Sequence, residues 1–169
     1  MIPDTSFRIG HGYDAHRFAD GRPLVLGGVR IEHRQGLSGH SDADVLTHAV
    51  IDAMLGAMAL GDIGTHFPPD DGRWKDASSL DLLARARDLV KKAGGRVIQV
   101  DTIVYLEAPR IASFVPRMRE ELARVLGLSL DRLSVKATTT EGMGFVGREE
   151  GAAATAVAIV LLDSPAKET

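Results

Sequence analysis

The stretch GHGYDAHRF, residues 10–18, sets Asp14 and His16 two positions apart. If the chain there is extended, alternate side chains leave the same face, so a carboxylate and an imidazole can share one ligand. Two groups hold a metal poorly, and the same pair also fits a polar turn. A further donor stands in SDADVLTHAV, where Asp44 and His48 are four apart on one side of a helix and His40 and Ser41 lie at its start. Asp14, His16 and His48 would make a three-ligand set of the kind that leaves tetrahedral zinc one open position, with Asp44 behind the ligands. The competing reading keeps His48 as a hydrogen-bonded helix histidine. His11 is out of strand phase with Asp14 and His16 and reads as structural, packed between Gly10 and Gly12. His33, in the polar run EHRQG, reads as surface.

A second group is KATTTEGMGFVGR, in which Thr138, Thr139, Thr140, Glu141 and Arg148 offer hydroxyls, free backbone N–H groups, a carboxylate and a guanidinium. Those are groups that hold phosphate, and Glu141 suits magnesium or manganese, which prefer oxygen ligands. The plainer alternative is a threonine-rich strand end followed by a glycine turn. A third group, GDIGTHFPPDDG, places Asp62, His66, Asp70 and Asp71 in a long loop that also reads as solvated acidic surface.

Positioning these groups requires strands and helices in alternation. FRIGHG reads as a short strand, and RPLVLGGVRIEH as a hairpin turning at Gly27 and Gly28. A helix is expected over residues 42–60 with Ser41 as its N-cap, apolar on nearly every side and so buried. Residues 61–77 form a loop. SSLDLLARARDLVKKAGG is a helix running from a serine cap to a glycine pair. Next come the strand RVIQVDTIVYLEA, a helix PRIASFVPRMREELARVLGL interrupted early by Pro116, the strand RLSVKATTT, the loop EGMGFVGREEG and the strand AAATAVAIVLL. The mixture implies an α+β fold: a single-domain sandwich of a mixed four-stranded sheet with helices on one face, plus a small β-hairpin. One domain is expected over 1–169, with a core at about 7–162 and frayed tails at 1–5 and 164–169.

Composition bounds the function. With 44% apolar and 25% charged residues the chain has the make-up of an ordinary globular domain, and a net charge of −3 supplies no bulk attraction for nucleic acid or an anionic membrane. No cysteine is present, so any metal must be held by His, Asp, Glu or a substrate oxygen. The N-terminal residues lack a signal-peptide pattern, and no apolar run reaches the roughly 20 residues of a membrane span, so a cytoplasmic location is expected.

Taken in order, RIGHGYDAHRF, LGGVRI, GLSGHSDADVLTHAVIDAMLGAMALGDIGTHFP, EAPR and VKATTTEGMGFVGREEG resemble the 2-C-methyl-D-erythritol 2,4-cyclodiphosphate synthases of the non-mevalonate isoprenoid pathway. The resemblance implies a homotrimer with active sites between subunits. It implies a phosphorus–oxygen lyase that acts on 4-diphosphocytidyl-2-C-methyl-D-erythritol 2-phosphate, the 2-phosphate attacking the β-phosphorus and expelling CMP. Zinc falls to Asp14, His16 and His48, and a second cation, magnesium or manganese, to Glu141 with the substrate diphosphate. His40 and Thr139 match the transition-state stabilisers, and Ser41 joins His40 on the erythritol phosphate.

The remaining substrate contacts implied by the resemblance begin with Ala15, which lies between the two ligands. For methylerythritol they are Asp62, Ile63 and Gly64 with Phe67, Pro68, Pro69, Asp70 and Asp71. For cytidine they are Leu106, Glu107, Ala108, Pro109, Arg110, Ile111 and Ala112. Thr138, Thr139, Thr140 and Glu141 come across the subunit interface, and Phe145 and Arg148 complete the set. Pro69, Arg110 and the GREEG segment depart from the family's usual Asp, Lys and GRGEG. An isoprenoid diphosphate in the trimer's central channel, near Tyr13 and Arg148, is a further implied partner. Two other functions share these residues: a metal-dependent phosphoesterase, and a trimer that only binds an isoprenoid diphosphate.

Overall fold

The computed structural model describes residues 6–162, so both expected tails lie outside the described residues. The first strand, β1 (Phe7–Asp20), buries Gly10 and Gly12 and turns Phe7, Ile9, His11 and Tyr13 outward. It is much longer than FRIGHG, because pairing with the last strand continues from Phe7 opposite Leu161 to Arg17 opposite Gly151. The hairpin strands β2 (Leu24–Leu26) and β3 (Val29–Ile31) turn at Gly27 and Gly28 with φ of 57° and 74°. A two-residue turn of this hand requires positive φ at both positions, which glycine supplies without strain. A three-residue strand, β4 (Gln35–Leu37), then pairs with residues 18–20 of β1. The other elements are α1 (Val45–Ala57), α2 (Ile63–His66), α3 (Ser79–Lys92), β5 (Gly95–Tyr105), α4 (Val115–Leu126), β6 (Leu133–Thr138), α5 (Gly144–Gly147) and β7 (Gly151–Leu162).

The sheet runs β4-β1-β7-β5-β6, five strands and not the four expected. The extra one, β4, is too short and too glycine-bearing for its pattern to be read, and only pairing with β1 makes it a strand. The sheet is mixed: β5 is parallel to β6, and the other pairs are antiparallel. The loop expected at 61–77 contains α2 and a 3-10 turn at Gly72–Trp74, and the glycine-rich loop after β6 contains α5. Pro116 lies in the first turn of α4, where its missing N–H costs nothing, so it opens that helix and does not interrupt it.

Helix α1 is buried along nearly its whole length. One side lies on Gly10 and Gly12 of β1 and on the alanines of β7, among them Ala154, Ala156 and Ala158. A Cβ on Gly12 would stand 2.0 Å from the Ala49 carbonyl oxygen, and one on Gly10 would stand 1.9 Å from that of Ala53. The glycines therefore let the helix backbone touch the strand. The other side packs on α3, whose Leu82, Leu83, Ala86 and Val90 face inward. Asp44, not Ser41, caps α1. Its carboxylate accepts from Thr47 N and Oγ1 at 3.0 and 2.7 Å, and from the N–H groups of Gly27 and Gly28 at 2.9 and 2.7 Å. The expected role of Asp44 behind the metal ligands is thus overturned: its acceptor capacity joins the hairpin turn to the helix start.

Candidate metal centre

Asp14 and His16 leave β1 on its helix-facing side, and His48 descends to them from the first turn of α1. Close contact between α1 and the glycines of β1 sets the height of that descent. Asp14 Oδ2 lies 2.9 Å from His48 Nδ1 and 3.0 Å from His16 Nε2, and the two imidazole nitrogens are 3.3 Å apart. One atom from each residue falls within 4.8 Å of the others, a grouping that could hold one ion. On its far side His48 Nε2 is 2.9 Å from Ser79 Oγ and 3.2 Å from Ser41 Oγ. Ser41 Oγ also accepts from Ala43 N.

Electrostatics follow from the same contacts. Burial would raise the Asp14 carboxyl, but hydrogen bonds from His16 and His48, and the charge those rings carry when protonated, outweigh it and hold the group well below the ordinary 3.8. For His16, burial favours the neutral ring, yet the Asp14 carboxylate wins and raises it above 6.5. Four positions past His48, burial raises Asp52, whose carboxylate accepts from Ile63 N at 2.7 Å and so anchors α2 beside the pocket.

The ligand set opens into a pocket of about 230 Å3 lined also by His40, Ser41, Ile63, Gly64, Phe67, Pro69, Trp74 and Leu82. That volume is below the roughly 300–1,000 Å3 typical of sites for larger small molecules. Trp74 stiffens one wall: Phe67 meets it edge-on at 5.1 Å, and the guanidiniums of Arg73 and Arg85 lie 5.4 and 5.3 Å from its ring. Two of the expected loop carboxylates serve as caps. Asp62 accepts from Thr65 N and Oγ1, and Asp71 from Arg73. Ala15, on the opposite phase of β1, is exposed and not in the pocket wall, and neither are Asp62, Pro68, Asp70 and Asp71. His11 faces the uncovered side of the sheet opposite Val157 instead of packing between its glycines.

Residues 106–112 and 138–148 form a second cluster that does not line this pocket. Glu107 Oε1 accepts from Thr140 N at 2.8 Å, Thr140 Oγ1 at 3.1 Å and Gly142 N at 3.3 Å, which pins the loop after β6. Thr139 Oγ1 donates to Glu141 Oε1 at 3.3 Å, and Arg148 pairs with Glu150 at 2.8 Å. Thr138, Thr139, Glu141, Phe145 and Arg148 are all exposed.

Several residues of the site carried no readable signal. Arg22 donates to the carbonyls of Leu37 and Ser41 and so clamps the segment bearing His40. Ser79 acts on His48, 31 residues away, and Asp52 on the start of α2, while Trp74 packs on Phe67 and the guanidiniums of Arg73 and Arg85; only the serine at the start of a helix had a local pattern, which reads as a cap.

A mixed sheet under one layer of helices, with an Asp-His-His set open to a pocket, defines an α+β protein with a candidate metal site. Residues 7–161 match the family model described as the YgbB family. A relative from Syntrophomonas wolfei, named 2-C-methyl-D-erythritol 2,4-cyclodiphosphate synthase, is 56% identical over 153 residues, 90% of this chain and 98% of that one. Among solved structures, the bifunctional IspDF of Campylobacter jejuni superposes with a TM-score of 0.90 at 42% identity, covering 95% of this chain and 43% of that larger one. A CDP-bound 2C-methyl-D-erythritol-2,4-cyclodiphosphate synthase superposes with a TM-score of 0.83 at 36% identity, covering 90% of this chain and 99% of that one. The chain belongs to the YgbB family, the family of the 2-C-methyl-D-erythritol 2,4-cyclodiphosphate synthases. Among the described residues no helix is long and apolar enough to cross a membrane.

Proposed function

We propose that this protein converts 4-diphosphocytidyl-2-C-methyl-D-erythritol 2-phosphate to 2-C-methyl-D-erythritol 2,4-cyclodiphosphate and CMP, in the cytoplasm, as a homotrimer with its sites between subunits. The observation that carries this reading is the convergence of Asp14, His16 and His48 at the mouth of a pocket, in a chain of this family. A relative holding CDP adds support for a cytidyl substrate.

An oxygen of the 2-phosphate forms a bond to the β-phosphorus, and the bond from that phosphorus to the bridging oxygen breaks, its electron pair leaving with CMP. No water is consumed, so the class is a phosphorus–oxygen lyase. Asp14, His16 and His48 would hold zinc and Glu141 magnesium or manganese, cations that draw charge from the phosphate oxygens they bind. The substrate brings its own nucleophile, so the protein's task is to position and to neutralise charge. His40 and Ser41 receive the erythritol phosphate beside the ligand set. Ile63, Gly64 and Phe67 provide the wall for methylerythritol, with Asp62, Pro68, Pro69, Asp70 and Asp71 nearby. Leu106–Ala112 take the cytidine, while Thr138–Glu141 with Phe145 and Arg148 face the diphosphate.

The two clusters lie apart on one chain and the pocket is small for a nucleotide-bearing molecule, which supports a site completed by a second subunit. The uncovered sheet face supports the same assembly: Phe7 and Ile9 are 62% and 61% exposed, and Tyr13 and Val157 lie beside them. The test is a phosphorus NMR assay with the cytidyl substrate. Cyclic diphosphate and CMP form in equal amounts, and a chelator stops the reaction. Inorganic phosphate without cyclic product, or oxygen-18 from solvent in the product, would mark a phosphoesterase instead.

A further inference from the structure

Beneath the ligand set lies a polar chain that ends in a carboxylate. Ser79, the first residue of α3, is fully buried and His48 is 7% exposed, so no bulk water competes for their contact. Ser79 Oγ is in close contact with Asp42 Oδ1, and Ser79 N donates to Asp42 Oδ2 at 2.9 Å. An ionised carboxylate only accepts, so the Ser79 hydroxyl proton is committed to Asp42. The free lone pairs of Ser79 Oγ then face His48 Nε2 at 2.9 Å, and that nitrogen must be the donor. With Nε2 as the donor to Ser79, Nδ1, which faces Asp14 Oδ2 at 2.9 Å, is the nitrogen left to bind a metal once the ion displaces the proton it shares with Asp14.

We infer that Asp42 and Ser79 are positioning residues: through the relay Asp42–Ser79–His48 they lock the His48 tautomer and ring orientation that the metal requires. The inference rests on the metal reading of Asp14, His16 and His48. Ligating imidazoles commonly donate their second N–H to a carboxylate or another acceptor, and loss of that partner weakens metal binding about 10- to 100-fold. Here the carboxylate acts through an intervening hydroxyl. The relay also spans two elements, since Asp42 precedes α1 and Ser79 begins α3. Asp42 N donates to the Ala77 carbonyl and Asp76 N to the His40 carbonyl, so the same ladder holds the His40 segment against the start of α3.

The test measures zinc affinity of the full chain by competition with a chromophoric chelator, for wild type, Ser79→Ala, Ser79→Thr and Asp42→Asn. Ser79→Ala binds zinc about 10- to 100-fold more weakly, and Ser79→Thr, which keeps the hydroxyl, restores most of the affinity. Asp42→Asn weakens binding as well, because an amide cannot accept from both Ser79 donors. A proton–nitrogen NMR spectrum of the zinc-loaded protein supplies a readout that a merely structural role would not move. A slowly exchanging His48 Nε2 proton is seen in wild type and Ser79→Thr and exchanges faster in Ser79→Ala, where Ser41 Oγ at 3.2 Å is the acceptor left. Thermal unfolding in chelator checks the fold, and if Ser79→Ala does not fold, Asp42→Asn decides the matter. Equal zinc affinity in wild type and the folded variants, or an Nε2 proton that exchanges as slowly in Ser79→Ala as in wild type, overturns the relay alone. Failure of the wild-type protein to take up zinc overturns the metal reading and the relay with it.

Discussion

At the scale of single residues, Asp14 and His16 set a pH dependence whose sign can be worked out. In the metal-free protein the Asp14–His16 contact is lost on the acid side as Asp14 protonates, below its ordinary 3.8, because a lowered carboxyl contributes stability only while ionised. On the alkaline side it is lost as pH rises through the raised His16 value, above 6.5, because a raised imidazole contributes only while protonated. A metal needs the neutral ring, so zinc uptake releases a proton from His16 and weakens as pH falls through that value. Calorimetry in two buffers of different ionisation enthalpy measures the proton, and a release of zero at pH 6 would contradict the geometry. Glu149 offers a stability test. It stands in the GREEG segment, where the family usually has glycine, and its φ is 54°, a left-handed conformation that disfavours a side chain. Glu149→Gly is expected to stabilise the fold by about 1 kcal/mol, read from denaturant unfolding.

At the scale of elements, the relation of α1 to β1 decides whether the ligands meet. A methyl group on Gly12 would stand on the Ala49 carbonyl, one residue after His48, so Gly12→Ala must push the helix away from the strand. Overpacking of this kind costs about 1–3 kcal/mol, and here it also lifts His48 from Asp14 and His16. The expected result is a lower denaturation midpoint together with weaker zinc binding, whereas Gly21→Ala, at a turn with open space around it, leaves zinc binding unchanged. The long apolar helix and the two-glycine hairpin were legible because their patterns are local. β4, the short helix α2 and the true cap of α1 were not, because each is held by a partner distant in sequence: β1 for β4, Asp52 for α2, and the hairpin turn for Asp44.

At the scale of the whole molecule, the bare sheet face and the separated residue clusters lead to one experiment. His48→Ala removes a ligand of the pocket and Glu141→Ala removes a carboxylate of the second cluster, so in the proposed homotrimer each variant alone is expected to be inactive. If sites are shared between neighbours, unfolding and refolding the two variants together at equal ratio gives mixed trimers. About a quarter of the interfaces then carry both intact halves, by random assortment in a cyclic assembly. Activity near that fraction of wild type is expected, and no recovery in trimers proven mixed by mass spectrometry would mean that each subunit holds a whole site. Replacing Ile9 or Val157 by Asp on the uncovered face is expected to give monomers by sedimentation, since a charge in an apolar interface loses its hydration without a partner.

By itself the sequence determined the residue types able to hold a metal, the phase that pairs Asp14 with His16 and excludes His11, the burial of the α1 helix and the family. Those properties depend on periodicity along a few turns or on ordered motifs, and both survive in one dimension. Only the tertiary structure decided that His48 reaches the strand, through the closeness that Gly10 and Gly12 permit. It alone made Ser79 and Asp42, not Asp44, the groups behind His48, because a hydrogen bond between residues 31 apart is selected by packing and leaves no spacing to read.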